Sequence, residues 1–151
     1  MFKMKKHFSL FFAAALFLSF GGCGKTEEIS EVPQLKFVSI TPHNAVKYQD
    51  EIRITFEYTD GDGDLGENTP DIKNLFVTDS RISVPYALRM SQLAPSDAKM
   101  IIRGHQSVVL TPQGFVDDSH SSEKITFSIY VVDRAGHQSN TIQTSEITVA
   151  E

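Results

Sequence analysis

From residue 35 onward, apolar and polar side chains alternate along the chain with a period of two, which is the pattern of half-buried β-strands. Residues 52–58 and 125–132 show this alternation over their whole length. Residues 82–88 show it with an internal proline, which favours an edge strand because proline has no backbone N–H to donate. Short apolar runs at 75–77 and 108–110 predict two further strands. Since no window of ten residues has a convincing helical period, the fold is predicted to be all-β.

The alternation slips out of phase at two places. Residues 35–37 are out of phase with residues 38–40, and Ile142 is out of phase with residues 147–149. Each slip predicts either a β-bulge or a strand that passes from one sheet to another. About seven short strands with turn residues between them are typical of an antiparallel β-sandwich of the immunoglobulin-like kind.

The first 22 residues have the pattern of an export signal. Three lysines near the start precede an almost wholly apolar stretch at 8–20. As a helix this stretch would reach about 20 Å, which is short of the roughly 30 Å hydrocarbon core of a bilayer. A positive start, a short apolar stretch and small residues before a break point predict a secretory signal peptide over residues 1–22.

Residues 19–23 (SFGGC) resemble the lipobox of bacterial lipoproteins, with two small residues directly before Cys23. The resemblance implies thioether lipidation of Cys23, cleavage before it and acylation of the new amino terminus. Two or more acyl chains hold a protein firmly, at about 0.8 kcal/mol per buried CH₂. The alternative is an ordinary signal peptide that leaves Cys23 as a free thiol. A lone cysteine in an exported chain has no internal disulfide partner, which favours lipidation.

Removing residues 1–22 takes away three lysines and no acidic residue, so 11 basic residues remain against 19 acidic ones and the net charge is −8. This balance argues against nucleic-acid binding and against electrostatic docking on a membrane. Residues 23–34 are polar and acidic and predict a flexible tether of up to about 35 Å. Glu27 and Glu28 resemble the surface-export signal of lipoproteins from Bacteroidetes-type bacteria, although a solvated linker has the same composition. The folded domain is predicted to span residues 35–151.

The strand at 125–132 is followed by the turn DRAGHQS, residues 133–139, and then by a final strand. This arrangement resembles the last hairpin of bacterial immunoglobulin-like domains, in which the turn usually reads Asp-x-Ala-Gly-Asn-x-Ser. Here His137 stands at the asparagine position. Together with residues 58–66 (YTDGDGDLG), it makes the chain similar to small Bacteroidetes-type lipoproteins with an immunoglobulin-like β-sandwich. The resemblance covers roughly residues 35–150 and implies a fold and an outer-membrane location, but no activity.

One group of residues carries metal-binding chemistry. Asp60, Asp62 and Asp64 alternate with glycines directly after a predicted strand. Three carboxylates this close repel one another unless solvent or a cation separates them, and Ca²⁺ prefers six to eight oxygen ligands at about 2.3–2.6 Å. Further candidate ligands are Glu67, Asn68 and Asp71. The loop is not an EF-hand, because Leu65 stands where that loop requires glycine and a strand rather than a helix precedes it.

Sandwich topology predicts a fourth ligand. In an immunoglobulin-like sandwich, the loop after strand B and the loop between strands F and G emerge at the same end. Asp133 should therefore approach Asp60, Asp62 and Asp64. The hypothesis is one structural Ca²⁺ site with these four residues as leading ligands, drawn from two loops and tying the two sheets together. The alternative is a solvated Gly/Asp turn without an ion.

The sequence gives less support for zinc binding, catalysis or phosphate binding. The histidines other than His7 are scattered, without the spacing of a zinc site, and are His43, His105, His120 and His137. The polar loop at 117–122 holds an acid, a base and a hydroxyl, but no nucleophile elbow, and no phosphate-binding glycine loop is present. The chain is therefore not predicted to be an enzyme.

The function predicted from these features is a non-catalytic, membrane-anchored lipoprotein of the cell envelope. It would present a calcium-stabilised immunoglobulin-like domain to a protein or glycan partner, for adhesion or assembly. The alternative is a carbohydrate-binding accessory lipoprotein of a nutrient uptake system, for which Tyr48 and Phe115 are the candidate surface aromatics.

Overall fold

Residues 29–151 are the part of the chain that the computed structural model describes. The predicted signal peptide, Cys23 and the first part of the tether lie outside these residues. Within residues 29–151, no helix has the length and apolar character needed to cross a membrane.

Ten strands run through the described residues, with turns and irregular segments between them and no helix. They are β1 (Gln34–Thr41), β2 (Asn44–Val46), β3 (Ile52–Asp60), β4 (Leu75–Asp79), β5 (Tyr86–Leu88), β6 (Ile102–Leu110), β7 (Ser122–Ile125), β8 (Phe127–Val131), β9 (Ile142–Gln143) and β10 (Ile147–Ala150). Their all-β character confirms the prediction made from the period-two pattern.

The strands of residues 29–151 form three sheets, in the orders β1-β3-β6, β5-β4-β8-β9 and β2-β10-β7. The third continues the second, because β7 and β8 are parts of one run interrupted at Thr126. Thr144 bridges the break on the facing run: its N–H donates to Phe127 O over 2.9 Å, and its hydroxyl accepts from Phe127 N over 3.0 Å.

In immunoglobulin nomenclature, β1, β3 and β6 are strands A, B and E, and β5, β4, β8 and β9 are strands C′, C, F and G. Strand β2 runs parallel to β10 at the edge of the third sheet. The fold is thus the predicted β-sandwich, with the strand order expected of an immunoglobulin-like domain.

The core lies between the two main sheets and is built by alternate side chains. Ile52, Ile54 and Phe56 of β3 are fully buried, as are Phe127 and Ile129 of β8. Burial of a side chain of this size stabilises the fold by about 1.5–3 kcal/mol. On the outer face of the second sheet, an aromatic pair stacks with its ring centroids 4.9 Å apart (Phe76 and Tyr130).

Both predicted phase slips are real. The pairing of β1 with β3 shifts between Phe37 and Ser39, which marks a bulge. Ile142 and the run after residue 146 belong to β9 and β10, which pair with different partner strands. The slips therefore record where strands bend or change partners.

Two predicted strands have different lengths in the structure. The edge strand at 82–88 is reduced to β5, because Ile82 takes part in a turn that donates its N–H to Asp79 O over 3.1 Å and Pro85 cannot donate. Val84 is consequently 72% exposed. Conversely, the run at 108–110 extends back to Ile102, since β6 pairs with β3 over nine positions.

Candidate metal centre

The Asp-rich loop begins where β3 ends. Asp60 is the last residue of this strand, and its side chain is fully buried. The chain then turns back through Gly63 and Gly66, which have φ angles of 81° and 92°. Glycine adopts this left-handed conformation at low cost. The glycines therefore allow a turn sharp enough for the alternate aspartates to converge.

Two other segments hold the loop in place. The backbone N–H groups of Met100 and Arg134 donate to the carbonyl oxygens of Asp62 and Asp64, over 3.2 and 3.3 Å. Ala135 N donates to Asp64 Oδ2 over 2.9 Å. The turn between strands F and G thus meets the loop after strand B, as the topology predicts, and the contact joins the two sheets.

Three carboxylates converge inside the loop. One oxygen from each of Asp60, Asp62 and Asp64 lies within 4.8 Å of the other two. In the described part of the chain, the buried side-chain atoms without a hydrogen-bond partner are the Oδ1 atoms of these same residues. A buried acceptor without a donor costs about 1–3 kcal/mol, and more when it is charged. The loop therefore brings three carboxylates together, and the Oδ1 atom of each lacks a protein donor.

The surroundings of this cluster disfavour negative charge. Burial raises the pKa of Asp64 to about 6, and the charges of Asp133 and Asp62 act in the same direction. Burial also raises the pKa of Asp60, together with the charges of Asp62 and Asp133. Leu65 N, which donates to Asp60 Oδ2 over 3.1 Å, opposes that rise. A cation among these oxygens would offset both the burial and the repulsion.

The ligand set fits a hard divalent cation. Two oxygens bound to one Ca²⁺ at about 2.3–2.6 Å can be no more than about 5 Å apart. The three carboxylate oxygens satisfy this limit. Oxygen ligands alone, without histidine or cysteine, favour Ca²⁺ or Mg²⁺ over zinc. Asp60, Asp62 and Asp64 can therefore supply three ligands to a calcium ion.

Asp133 lies beside this cluster but is not among the three converging residues. It is 7% exposed, and its carboxylate is engaged within its own turn. Oδ1 accepts from His137 N over 2.7 Å, and Oδ2 lies 3.0 Å from His137 Nδ1. Its charge still reaches Asp60 and Asp64, whose pKa values it raises. In this conformation Asp133 shapes the turn and adds to the negative field of the site.

The structure does not bring the three further candidates into the cluster. Glu67 Oε1 accepts from Thr69 N over 2.7 Å, a bond that lowers the pKa of Glu67. Asn68 Nδ2 donates to Gln92 Oε1 over 3.0 Å. Asp71 is exposed. Glu67 and Asn68 thus have partners outside the converging group, and Asp71 stands at the surface.

The sequence did not reveal what covers the loop. Met100, which holds Asp62, belongs to an irregular segment whose position no periodicity could indicate. The guanidinium of Arg134 donates to Gly66 O over 3.0 Å and to Gly63 O over 3.4 Å. The position of Arg134, directly after Asp133 in the turn, was the sequence signal for this contact between its guanidinium and the loop. The Arg134 charge is thus directed to backbone carbonyls of the loop.

The candidate surface aromatics lie elsewhere, near the irregular segment after β6. Tyr48 is 67% exposed, has a φ of 58°, and donates its N–H to Gln113 O over 3.0 Å. Its ring lies so close to Gly114 that a side chain there would collide with it. Phe115 is partly buried, and Lys47 Nζ lies 4.4 Å from its ring centroid.

Comparison of the chain with family models, with curated proteins and with solved structures finds no match. Support for a function therefore comes from the fold and from the geometry of the carboxylate cluster.

Proposed function

We propose that this protein is a non-catalytic lipoprotein of the outer membrane, anchored through Cys23, which presents a Ca²⁺-stabilised immunoglobulin-like domain for adhesion or assembly. The observation that carries the proposal is the convergence of three buried, unpartnered carboxylate oxygens from Asp60, Asp62 and Asp64. A bound ion would neutralise them and stiffen the loop after strand B, whose Asp64 accepts a hydrogen bond from Ala135 N in the F–G turn. A small domain exported without a disulfide gains most from an ion that holds a loop in this way.

The cation is tested on the full chain, purified in detergent, by thermal unfolding with CaCl₂ and with chelator. An ion that binds only the folded state at ten to one hundred times its Kd stabilises by about 1.4–2.7 kcal/mol. For a domain of this size, that corresponds to a rise in Tm of roughly 5–10 °C. An unchanged Tm at millimolar calcium would exclude a stabilising site. MgCl₂ in place of CaCl₂ distinguishes a calcium site from one that accepts either ion.

Anchoring is tested by Cys23→Ser in bacteria that process lipoproteins, with a palmitate analogue as label. The wild-type chain is expected to take up the label and partition with membranes, because its acyl chains supply about 0.8 kcal/mol per buried CH₂. The variant is expected to lose both properties. Unchanged labelling, size and partitioning of the variant would refute the anchor.

Carbohydrate binding is the second candidate, and the conformation of Tyr48 favours it. A bulky residue with positive φ is strained, and strain of this kind concentrates at functional sites. The exposed ring, backed by Gly114, could stack on the C–H face of a sugar. Binding of the full chain to a glycan array, lost in Tyr48→Ala, would support this function. Binding that is absent, or unaffected by the substitution, would count against it. Phe115 is the weaker platform, because a lysine covers one of its faces.

A further inference from the structure

The tether enters the domain at the end that holds the carboxylate cluster. In the pairing of β1 with β3, Gln34 lies opposite Thr59, so β1 begins where β3 ends. We call this end, formed by residues 61–66 and 133–137, the carboxylate pole. The last strand ends at the other pole, since Ala150 pairs with Ser122 at the start of the F strand. A domain held at its amino terminus therefore has the carboxylate pole nearest to the anchor.

The last residues of the tether pack directly on the Asp-rich loop. A Cβ atom added to Gly61 would overlap the carbonyl oxygen of Ile29 and lie 2.6 Å from that of Ser30. Gly61 is the residue between Asp60 and Asp62, so two backbone carbonyl oxygens are pressed against the acidic loop. Carbonyl oxygens are the negative ends of peptide dipoles and are repelled by unneutralised carboxylates. A cation in the loop would make the same contact favourable.

We infer that cation binding at Asp60, Asp62 and Asp64 locks the Ile29–Ser30 segment onto Gly61, so that ion occupancy decides whether the tether leaves the domain at a fixed point. The inference rests on the proposed calcium site and adds a regulation of that site. Cys23 precedes Ile29 by six residues, which span at most about 20 Å when extended. With calcium bound, the domain stands on a short, fixed stalk; without it, the freed segment lengthens the stalk and loosens the domain's orientation.

The lock is tested by limited proteolysis of the full chain in detergent with a glutamyl endopeptidase. Glu31 is exposed and directly follows Ser30, whereas the exposed Glu146 lies between β9 and β10, away from the cluster. Cleavage at Glu146 reports overall stability, so the ratio of the two rates isolates the tether. Calcium is expected to slow cleavage at Glu31 at least about tenfold more than cleavage at Glu146, because closing the lock removes local opening. This wild-type comparison needs no variant.

Gly61→Ala places a methyl group where the carbonyl oxygens of Ile29 and Ser30 pack, and it leaves every carboxylate unchanged. Gly61 does not share the positive φ of Gly63 and Gly66, so the backbone accepts alanine and the carbonyls of the tether are the obstruction. The variant is expected to lose the selective protection of Glu31. Its calcium-dependent rise in Tm, measured on the same sample, shows whether the ion still binds.

The outcomes separate the two proposals. A rise in Tm with calcium and an unchanged ratio of cleavage rates would overturn the lock and leave the calcium site standing. Selective protection that persists in Gly61→Ala while calcium still raises Tm would also overturn the lock. No rise in Tm would overturn the calcium site and the lock with it.

Discussion

Asp60→Asn is expected to remove at least about half of the calcium-dependent rise in Tm and, at the same time, to raise the Tm measured in chelator. Asp60 is fully buried, and its Oδ2 accepts from Leu65 N, a bond that the asparagine carbonyl can keep. The amide group would then take the position of the unpartnered Oδ1 and face Asp62 and Asp64. A hydrogen bond to a charged group contributes about 1.5–3 kcal/mol. The ion, by contrast, loses one of three charged ligands, and its affinity should fall at least about tenfold.

The opposite signs of these two effects make the experiment decisive. Thermal unfolding in chelator and in calcium gives both numbers from the same variant. Asp71→Asn is the matched control, because it removes an exposed carboxylate outside the cluster and should leave the calcium response intact. If Asp60→Asn keeps the calcium response, or if Asp71→Asn loses it equally, the proposed site is wrong.

The carboxylate cluster was predictable because its parts are local. Asp60, Asp62 and Asp64 lie within five residues of one strand end, and the glycines between them predict a tight turn. The long-range contact between two loops was also predictable, because sandwich topology alone places them at the same end. The B loop and the F–G turn of an immunoglobulin-like sandwich must lie at the same end, and Asp64 does accept a hydrogen bond from Ala135.

Exact coordination was not predictable from sequence. Spacing brought Asp71 into consideration because it occupies the twelfth position from Asp60, yet it is exposed at the surface. Asp133 approaches the cluster, but its oxygens are engaged with His137. Whether a carboxylate points into a cluster or back into its own turn depends on which staggered rotamer the side chain adopts, and no periodicity encodes that choice.

Irregular segments account for the other omissions. Residues 89–101 carry no alternation, so nothing in the sequence placed Met100 over the Asp-rich loop. Likewise, Arg81 follows the strand β4 in a polar turn and reads as a surface residue. Its burial depends on the segment after β6, which is distant along the chain. Only the fold brings such residues together.

Arg81 joins three parts of the domain that are far apart in sequence. Its side chain is 12% exposed and makes an ion pair of 2.7 Å with Asp79, whose side chain is 1% exposed. The guanidinium also donates to Gly114 O over 2.9 Å and pairs with Glu123. Burial lowers the pKa of Arg81, but the hydrogen bonds to the two carboxylates outweigh it and raise the pKa. The network thus fastens the end of β4 to the segment after β6 and to β7.

Arg81→Met is expected to destabilise the domain by about 3–5 kcal/mol, because it leaves Asp79 as an uncompensated buried charge. Thermal unfolding should show a Tm lower by at least roughly 10 °C. The loss of stability comes mainly from the Asp79 and Glu123 carboxylates, which no longer have a cation beside them. The triple variant Asp79→Asn, Arg81→Met, Glu123→Gln should therefore recover much of the lost stability. Neither result should depend on calcium, since the network lies away from the carboxylate pole.

An exposed ion pair of the same length provides the control. Lys124 and Glu146 are 2.7 Å apart, but their side chains are 71% and 50% exposed. Water and salt screen such a pair, which contributes about 0–1 kcal/mol, so Lys124→Met should barely change the Tm. Burial, and not the distance between the charges, should therefore decide the cost of breaking each pair. Equal losses of stability in Arg81→Met and Lys124→Met would contradict that explanation. A triple variant no more stable than Arg81→Met would show that Arg81 stabilises the domain by more than the neutralisation of Asp79 and Glu123.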